Sequence, residues 1–312
     1  MRGLLPTAIG ALAATANAAS SNTTCATGLY ILCARGSGES ADPVPKYHIP
    51  AFTGSIGAIA IGIAKEITGS VVAGVDYPAT NPIPDTFNFS DPTAIKNLNL
   101  SSYERSEDQG TSAILEEVNR YHSSCPDSKI ALLGYSQGAQ VVRDSLCGGT
   151  GGDFNSDAPL SPDLVKKNVV AVALMGDPTH IINEPIDRGT STKNGRFPRN
   201  NITVCQQYDD VTASWCDKND AFCDSGDSIA VHESYGEKYA TDIVQFVVEK
   251  WNSTLHSSSD SSENATTGSS TSPSTSSPSP SSSSQTGSAS SLVLSQSLFL
   301  GGMMLLAVCL LF

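Results

Sequence analysis

Residues 129–140 read KIALLGYSQGAQ, and the reading of this stretch decides where everything else in the chain belongs. Ile130, Ala131, Leu132 and Leu133 form a short continuous apolar run, the pattern of a strand buried on both faces. Gly134-Tyr135-Ser136-Gln137-Gly138 follows at once, and residues 139–146 read as a helix. In a G-x-S-x-G elbow the serine sits at a tight strand-to-helix turn, with glycines beside it because side chains would collide as the chain reverses. By composition alone ~0.3 such matches are expected in this chain, so the buried strand before the motif and the helix after it carry the inference that Ser136 is a nucleophile.

Working outward, residues 28–34 (GLYILCA) are a first strand that runs into the turn Arg35-Gly36-Ser37-Gly38-Glu39. Residues 51–68 are small and apolar with helical length, and residues 71–77 are a strand that Pro78 ends, opening a Pro/Asn-rich loop through Asp91. Ile114, Leu115, Val118 and Tyr121 recur at helical spacing within 106–121, with charged residues opposite. Residues 169–175 (VVAVALM) are a second doubly buried strand, closed by Gly176-Asp177-Pro178. Residues 202–206 can form a last strand, and 236–251 form a helix with Tyr239, Ile243, Val247 and Trp251 on one face. Buried strands alternating with helices predict a parallel sheet covered on both sides, with ligands bound beyond the carboxyl ends of the strands. Ser37, Ser136 and Asp177 all fall just past strand ends and are expected along one edge.

A serine hydroxyl needs a histidine to take its proton and a carboxylate to orient that histidine. In α/β-hydrolase order the acid and then the histidine follow the serine. His48 and His122 precede Ser136, and His256 falls in a low-complexity segment, which leaves His180 and His232. His180 directly follows the turn at 176–178, whereas His232 lies in the loop before the last helix with acids ahead of it, so His232 is preferred. Asp217, Asp220, Asp224 and Asp227 all precede it closely. Cys216 and Cys223 bracket Asp220, and a disulfide between them would stabilise by ~2.5 kcal/mol and hold one carboxylate rigidly. The spacing of this acidic run does not match a calcium loop.

The ends of the chain speak of secretion. Residues 1–18 carry one charge at Arg2, an apolar centre and the small-x-small site Ala16-Asn17-Ala18, which predicts a cleaved signal peptide. Residues 298–312 are an uncharged apolar tail behind small residues at 287–289 and a polar spacer, as in a glycolipid (GPI) anchor signal. Gly287 is the expected attachment site, with Ser284 and Ser288 close behind. The expected domains are therefore a signal at 1–18, a folded domain at 19–255, a Ser/Thr/Pro-rich glycosylated stalk at 256–287 and an anchor signal at 288–312. Six sequons, at Asn22, Asn88, Asn99, Asn201, Asn252 and Asn264, agree with secretion. Seven of the eight cysteines precede the tail, so disulfides with one thiol left over are expected in an oxidising compartment. A formal charge of −13 excludes nucleic acid as a partner.

Four separated motifs, Ala34-Arg35-Gly36-Ser37, Gly134-Tyr135-Ser136-Gln137-Gly138, Cys216 with Asp220 and Cys223, and His232 with Tyr235-Gly236, together resemble the cutinase and acetylxylan esterase family of fungal serine esterases. The resemblance covers nearly all of 25–251. It implies an α/β-hydrolase-type three-layer sandwich with a central, mainly parallel sheet and no lid. It implies Ser136 as nucleophile, His232 as base and then acid, Asp220 as its partner, and an oxyanion hole from Gln137 N–H and Ser37. It further implies disulfides Cys25–Cys125, Cys147–Cys205 and Cys216–Cys223, with Cys33 as the leftover thiol. Leu146-Cys147-Gly148-Gly149, Met175-Gly176-Asp177-Pro178 and His232-Glu233-Ser234-Tyr235-Gly236 look closer to the acetylxylan esterase branch. The expectation is a monomeric, surface-anchored esterase needing no metal or cofactor and acting on short acyl esters such as acetylated xylan. The rival readings are a cutin- or lipid-ester hydrolase and a non-catalytic wall-anchored glycoprotein on the same fold.

Overall fold

A computed structural model describes residues 24–84, 86–88, 91, 98–151, 154 and 158–263, with side chains to residue 256. These residues fall within one compact unit, 1–265. The expected signal peptide at 1–18, Asn22, Asn264, the Ser/Thr/Pro-rich segment after residue 263, the expected attachment site Gly287 and the expected anchor signal at 288–312 lie outside the described residues. Among those described, no helix is long and apolar enough to cross a membrane.

Six strands form one sheet in the order β2-β1-β3-β4-β6-β5, with every neighbouring pair parallel. The strands are β1 (Leu29–Ala34), β2 (Val71–Gly74), β3 (Lys129–Tyr135), β4 (Val169–Met175), β5 (Asp187–Gly189) and β6 (Thr212–Cys216). Parallel neighbours need crossover connections, and the longer helices supply most of them: α1 (Gly57–Glu66), α2 (Ser101–Ser124), α3 (Gln137–Cys147) and α4 (Pro162–Asn168). Two four-residue helices, α5 (Ile229–His232) and α6 (Tyr235–Lys238), lead into the closing α7 (Ala240–Glu263). One apolar core joins α2, α3 and α4 to Tyr30, Leu32, Leu132 and Val172 on one face of the sheet. The other joins α1 and α7 to Ile31, Leu133, Ala171 and Trp215 on the opposite face. The three layers expected from alternating strands and helices are thus present, and β1, β3 and β4 are buried on both faces as their unbroken apolar runs require.

Several elements differ from the sequence reading: the strand expected over 71–77 stops at Gly74, and the helix expected over 51–68 covers only Gly57–Glu66. Residues 202–206 are not a strand. Cys205 is tied to Cys147, and the chain winds through a 3-10 helix, Cys205–Val211, before pairing directly after it as β6. The β-branched spelling of 202–204 gave a strand signal that this tether overrides. The helix expected over 236–251 is split at Tyr239 into α6 and α7, and α7 runs past Trp251 to Glu263. Ile243 and Val247 anchor it in the core, and Ser253 Oγ and Thr254 Oγ1 bond back to the carbonyls of Glu249 and Trp251.

All three disulfides pair as the resemblance implied, Cys25–Cys125, Cys147–Cys205 and Cys216–Cys223. Cys33 is free and buried in β1, and burial alone pushes its thiol far above the ordinary range. The first bridge closes a sequence separation of 100 residues, worth ~4–5 kcal/mol in the chain-entropy model.

Candidate active site

Because β1 and β3 are adjacent and in register from Leu29↔Lys129 to Ala34↔Gly134, the turns that leave their carboxyl ends stand side by side. One carries Ser37 and the other Ser136. Ser136 has φ 54° and ψ −120°, a strained conformation for a residue with a side chain, of the kind found at functional sites. The neighbouring glycines are obligatory. A Cβ on Gly134 would lie 2.4 Å from the Gly138 carbonyl oxygen, and one on Gly138 would lie 1.9 Å from that of Ala34. The turn is held by Ser136 N–H donating to Met175 O at 2.8 Å. α3 begins at the next residue, so its first N–H groups, that of Gln137 among them, have no helical carbonyl to bond.

His232 Nε2 lies 2.8 Å from Ser136 Oγ, and its Nδ1 lies 2.8 Å from Asp220 Oδ2. Asp220 is wholly buried inside the Cys216–Cys223 loop. Its Oδ1 accepts the N–H groups of Phe222 at 2.6 Å and Cys223 at 2.8 Å, and its Oδ2 also accepts Tyr235 O–H at 2.8 Å. Burial acts to raise this carboxyl. The hydrogen bond and charge of His232 and the two N–H groups outweigh it and hold Asp220 below the usual carboxylate range. The His232 ring is boxed by Phe222, edge-on at 4.6 Å, and Tyr135, stacked at 5.3 Å. A Cβ on Gly176 would come within 2.8 Å of its Cε1.

The other acids near His232 do structural work. Asp217 accepts from Thr190, Tyr239 and Lys238, Asp224 accepts from three backbone N–H groups, and Asp227 accepts from Asn219. His180 is wholly buried, with Nε2 3.0 Å from Ser191 Oγ and Nδ1 3.6 Å from Asp187. Desolvation lowers its pKa. This second Ser, His and Asp alignment keeps its imidazole away from the cleft that Ser136 lines. Asp177 does follow β4 on the same edge, but it is buried against Arg143 and Thr179 and does not reach the cleft.

Ser136, His232 and Ser37 open on a cleft of about 480 Å³. Its lining is mixed: Ile83, Phe87, Leu98 and Leu100 form an apolar wall from the Pro/Asn-rich loop and the entry to α2, Phe197 and Phe222 stand on the far side, and Asn81, Arg196 and Glu233 add polar groups. Two braces of this site were not anticipated from the sequence. Glu39 accepts the Gly36 N–H at 2.6 Å and the Ser55 N–H at 2.9 Å, and Arg35 Nε donates to Glu39 O at 3.1 Å, fixing the turn that presents Ser37. Gln137 is pinned through its side chain by Ser106 Oγ at 2.9 Å and Thr80 O at 3.3 Å. The pair of opposite charges flanking Gly36-Ser37-Gly38 was the visible signal for the first brace; the second depends on a contact between distant segments that has no local signature.

The cutinase family model matches residues 25–251. The acetylxylan esterase of Hypocrea jecorina is 38% identical over 149 residues, 47% of this chain and 49% of that protein. Cutinase 11 of Verticillium dahliae is 33% identical over 203 residues, 64% of each. The chain thus matches about half of one of these curated relatives and under two thirds of the other. The solved catalytic core domain of acetyl xylan esterase from Trichoderma reesei superposes with a TM-score of 0.59 at 28% identity, covering 73% of this chain and all of that domain. With a matched model spanning the whole of the sheet, the elbow and the His232 loop, the chain belongs to the cutinase family.

Proposed function

We propose that this chain is a secreted, surface-anchored serine carboxylic-ester hydrolase in which Ser136, His232 and Asp220 act as a catalytic triad. The observation that carries the reading is the continuous relay from Ser136 Oγ through His232 to the buried Asp220, 2.8 Å at each step, with its serine end open to the cleft. Ser136 Oγ attacks the ester carbonyl carbon while its proton passes to His232 Nε2. The carbonyl oxygen becomes an oxyanion that Gln137 N–H and Ser37 stabilise. Collapse expels the alcohol, which takes the proton from His232 and leaves an acyl group on Ser136. Water, deprotonated by His232, then releases the acid by the same route in reverse. Asp220 keeps the imidazole in the tautomer that accepts at Nε2 and stabilises the imidazolium that forms. A preorganised oxyanion donor is worth ~3–4 kcal/mol of barrier.

Short acyl esters, with acetylated polysaccharide as the leading substrate, fit the resemblance to proteins named acetylxylan esterase. One observation favours a second reading: the apolar walls around Ile83, Phe87, Leu98 and Phe197 can also bury a longer acyl chain, as a polyester or lipid ester would supply. The rates on p-nitrophenyl acetate, butyrate and longer esters separate the two. A steep fall beyond acetate supports the polysaccharide ester, and activity rising with chain length supports the second reading. No turnover of any of them, in a protein that folds, removes the enzyme reading and leaves the non-catalytic glycoprotein.

A further inference from the structure

The four described sequon asparagines, Asn88, Asn99, Asn201 and Asn252, are all exposed, but they do not occupy equivalent places. Asn99 sits between Leu98 and Leu100, which both line the cleft, and Tyr103 in the first turn of α2 continues the same wall. The Asn99 Oδ1 accepts the Ser101 N–H at 3.1 Å. That bond engages the amide oxygen and so leaves the nitrogen, the atom that takes the sugar, uncommitted by it. Asn201 makes the same bond to Thr203 N–H, yet neither it nor Asn252 borders the cleft; Asn88 follows Phe87 of the cleft wall, whereas Asn99 is flanked by lining residues on both sides.

The surroundings of Asn99 give a sugar there a consequence. The same wall of the cleft is apolar, with Ile83, Phe87, Leu98 and Leu100 together, and an apolar rim around a reactive serine would by itself adsorb to the surface of an apolar polymer or lipid aggregate. A bulky hydrated oligosaccharide on that rim opposes such contact while leaving room for a small ester to enter from solution.

We propose that Asn99 carries an N-glycan standing at the cleft rim, and that this glycan selects the physical form of the substrate by admitting small or flexible soluble esters and holding off insoluble ester surfaces. The proposal rests on the secreted reading of the chain and deepens the esterase reading.

Its test uses the full chain expressed in a yeast host and freed from the cell surface with phosphatidylinositol-specific phospholipase C, as wild type, Asn99→Asp and Ser101→Ala. Asp retains the oxygen that accepts the Ser101 N–H, and Ser101→Ala leaves Asn99 in place, so the two variants share only the lost sequon. Glycopeptide mass spectrometry reads occupancy. Hydrolysis of a polycaprolactone film relative to soluble p-nitrophenyl acetate reads selection, and adsorption of the same three forms to that film, each also carrying Ser136→Ala, reads surface approach without catalysis. The expected result is an occupied Asn99, with both variants several-fold higher in film-to-soluble ratio and in adsorption while the p-nitrophenyl acetate rate stays the same. An unoccupied Asn99, or an occupied one whose removal changes neither ratio nor adsorption, overturns the proposal. A chain that adsorbs as expected but turns over no ester loses the esterase reading and keeps the glycan's role.

Discussion

At the scale of single residues, Asp220 carries the most information about how the site is tuned. Its carboxylate has three groups besides His232 bonded to it, so an amide in its place would set a donor against the donors already there and favour the wrong imidazole tautomer. Asp220→Asn is expected to fold and to lose ~10⁴ in kcat, as the same change does in other triads, which steady-state kinetics on p-nitrophenyl acetate checks. Because its folded-state pKa is depressed, the carboxylate contributes stability above the ordinary Asp range, and that contribution disappears as pH falls through the folded value. Glu107 behaves oppositely. Desolvation, then the charge of Asp144, push it up to about 9, so the folded state holds a proton the unfolded chain has released, and stability declines as pH rises from the carboxylate range towards 9. Glu107→Gln, which still accepts from Thr111, is expected to raise the melting temperature over wild type by a few degrees at pH 8 and by almost nothing at pH 4. Thermal melts at the two pH values read this directly.

Elements explain why some of these residues were visible in the sequence and others were not. The elbow was legible because an unbroken buried strand, two glycines with no room for a Cβ and a helix have to succeed one another locally. β6 was illegible because TASWC is only five residues long, with Thr212 and Ser214 interrupting any unbroken apolar run. Its burial comes from pairing with β4, and the stronger β signal at 202–204 was cancelled by the Cys147–Cys205 tether. Choosing among Asp217, Asp220, Asp224 and Asp227 was beyond spacing alone, because all four lie in one short segment and only the folded loop distributes their partners. The Cys216–Cys223 element has its own prediction. Replacing both cysteines by serine should cost ~2.5 kcal/mol of stability and lower kcat more than KM changes, since the loop that holds Asp220 is loosened while the cleft walls remain; denaturant melts and kinetics together check it. Gly138→Ala tests the elbow. The Cβ has 1.9 Å to the Ala34 carbonyl, and the variant is expected to lose more than about 3 kcal/mol or to fail to fold.

For the whole molecule, the sheet order brings segments far apart in sequence to one edge: Ser37 after β1, Ser136 after β3 beside it, and Asp220 and His232 after β6, two strands further along. Such an edge is where parallel sheets hold their ligands, and the fold class was readable because β1, β3 and β4 spell their burial openly. The apolar wall of the cleft was not, since Ile83 and Phe87 stand in a Pro/Asn-rich stretch whose composition reads only as loop. The expected ends of the chain bear on where this site operates. If residues 288–312 are exchanged for a glycolipid at Gly287, phosphatidylinositol-specific phospholipase C should release esterase activity from intact cells, and activity that stays bound after the enzyme treatment, or is never surface-associated, argues against the anchor.

The relay from Ser136 to Asp220 is the centre of the account, and hydrolysis of p-nitrophenyl acetate by wild type and Ser136→Ala side by side tests it most directly. A working relay gives turnover with an initial burst of p-nitrophenol, as an acyl group accumulates on the serine, and a variant that folds normally but is slower by at least about 10³. Equal rates in the two proteins, or two folded proteins equally inert, would contradict it.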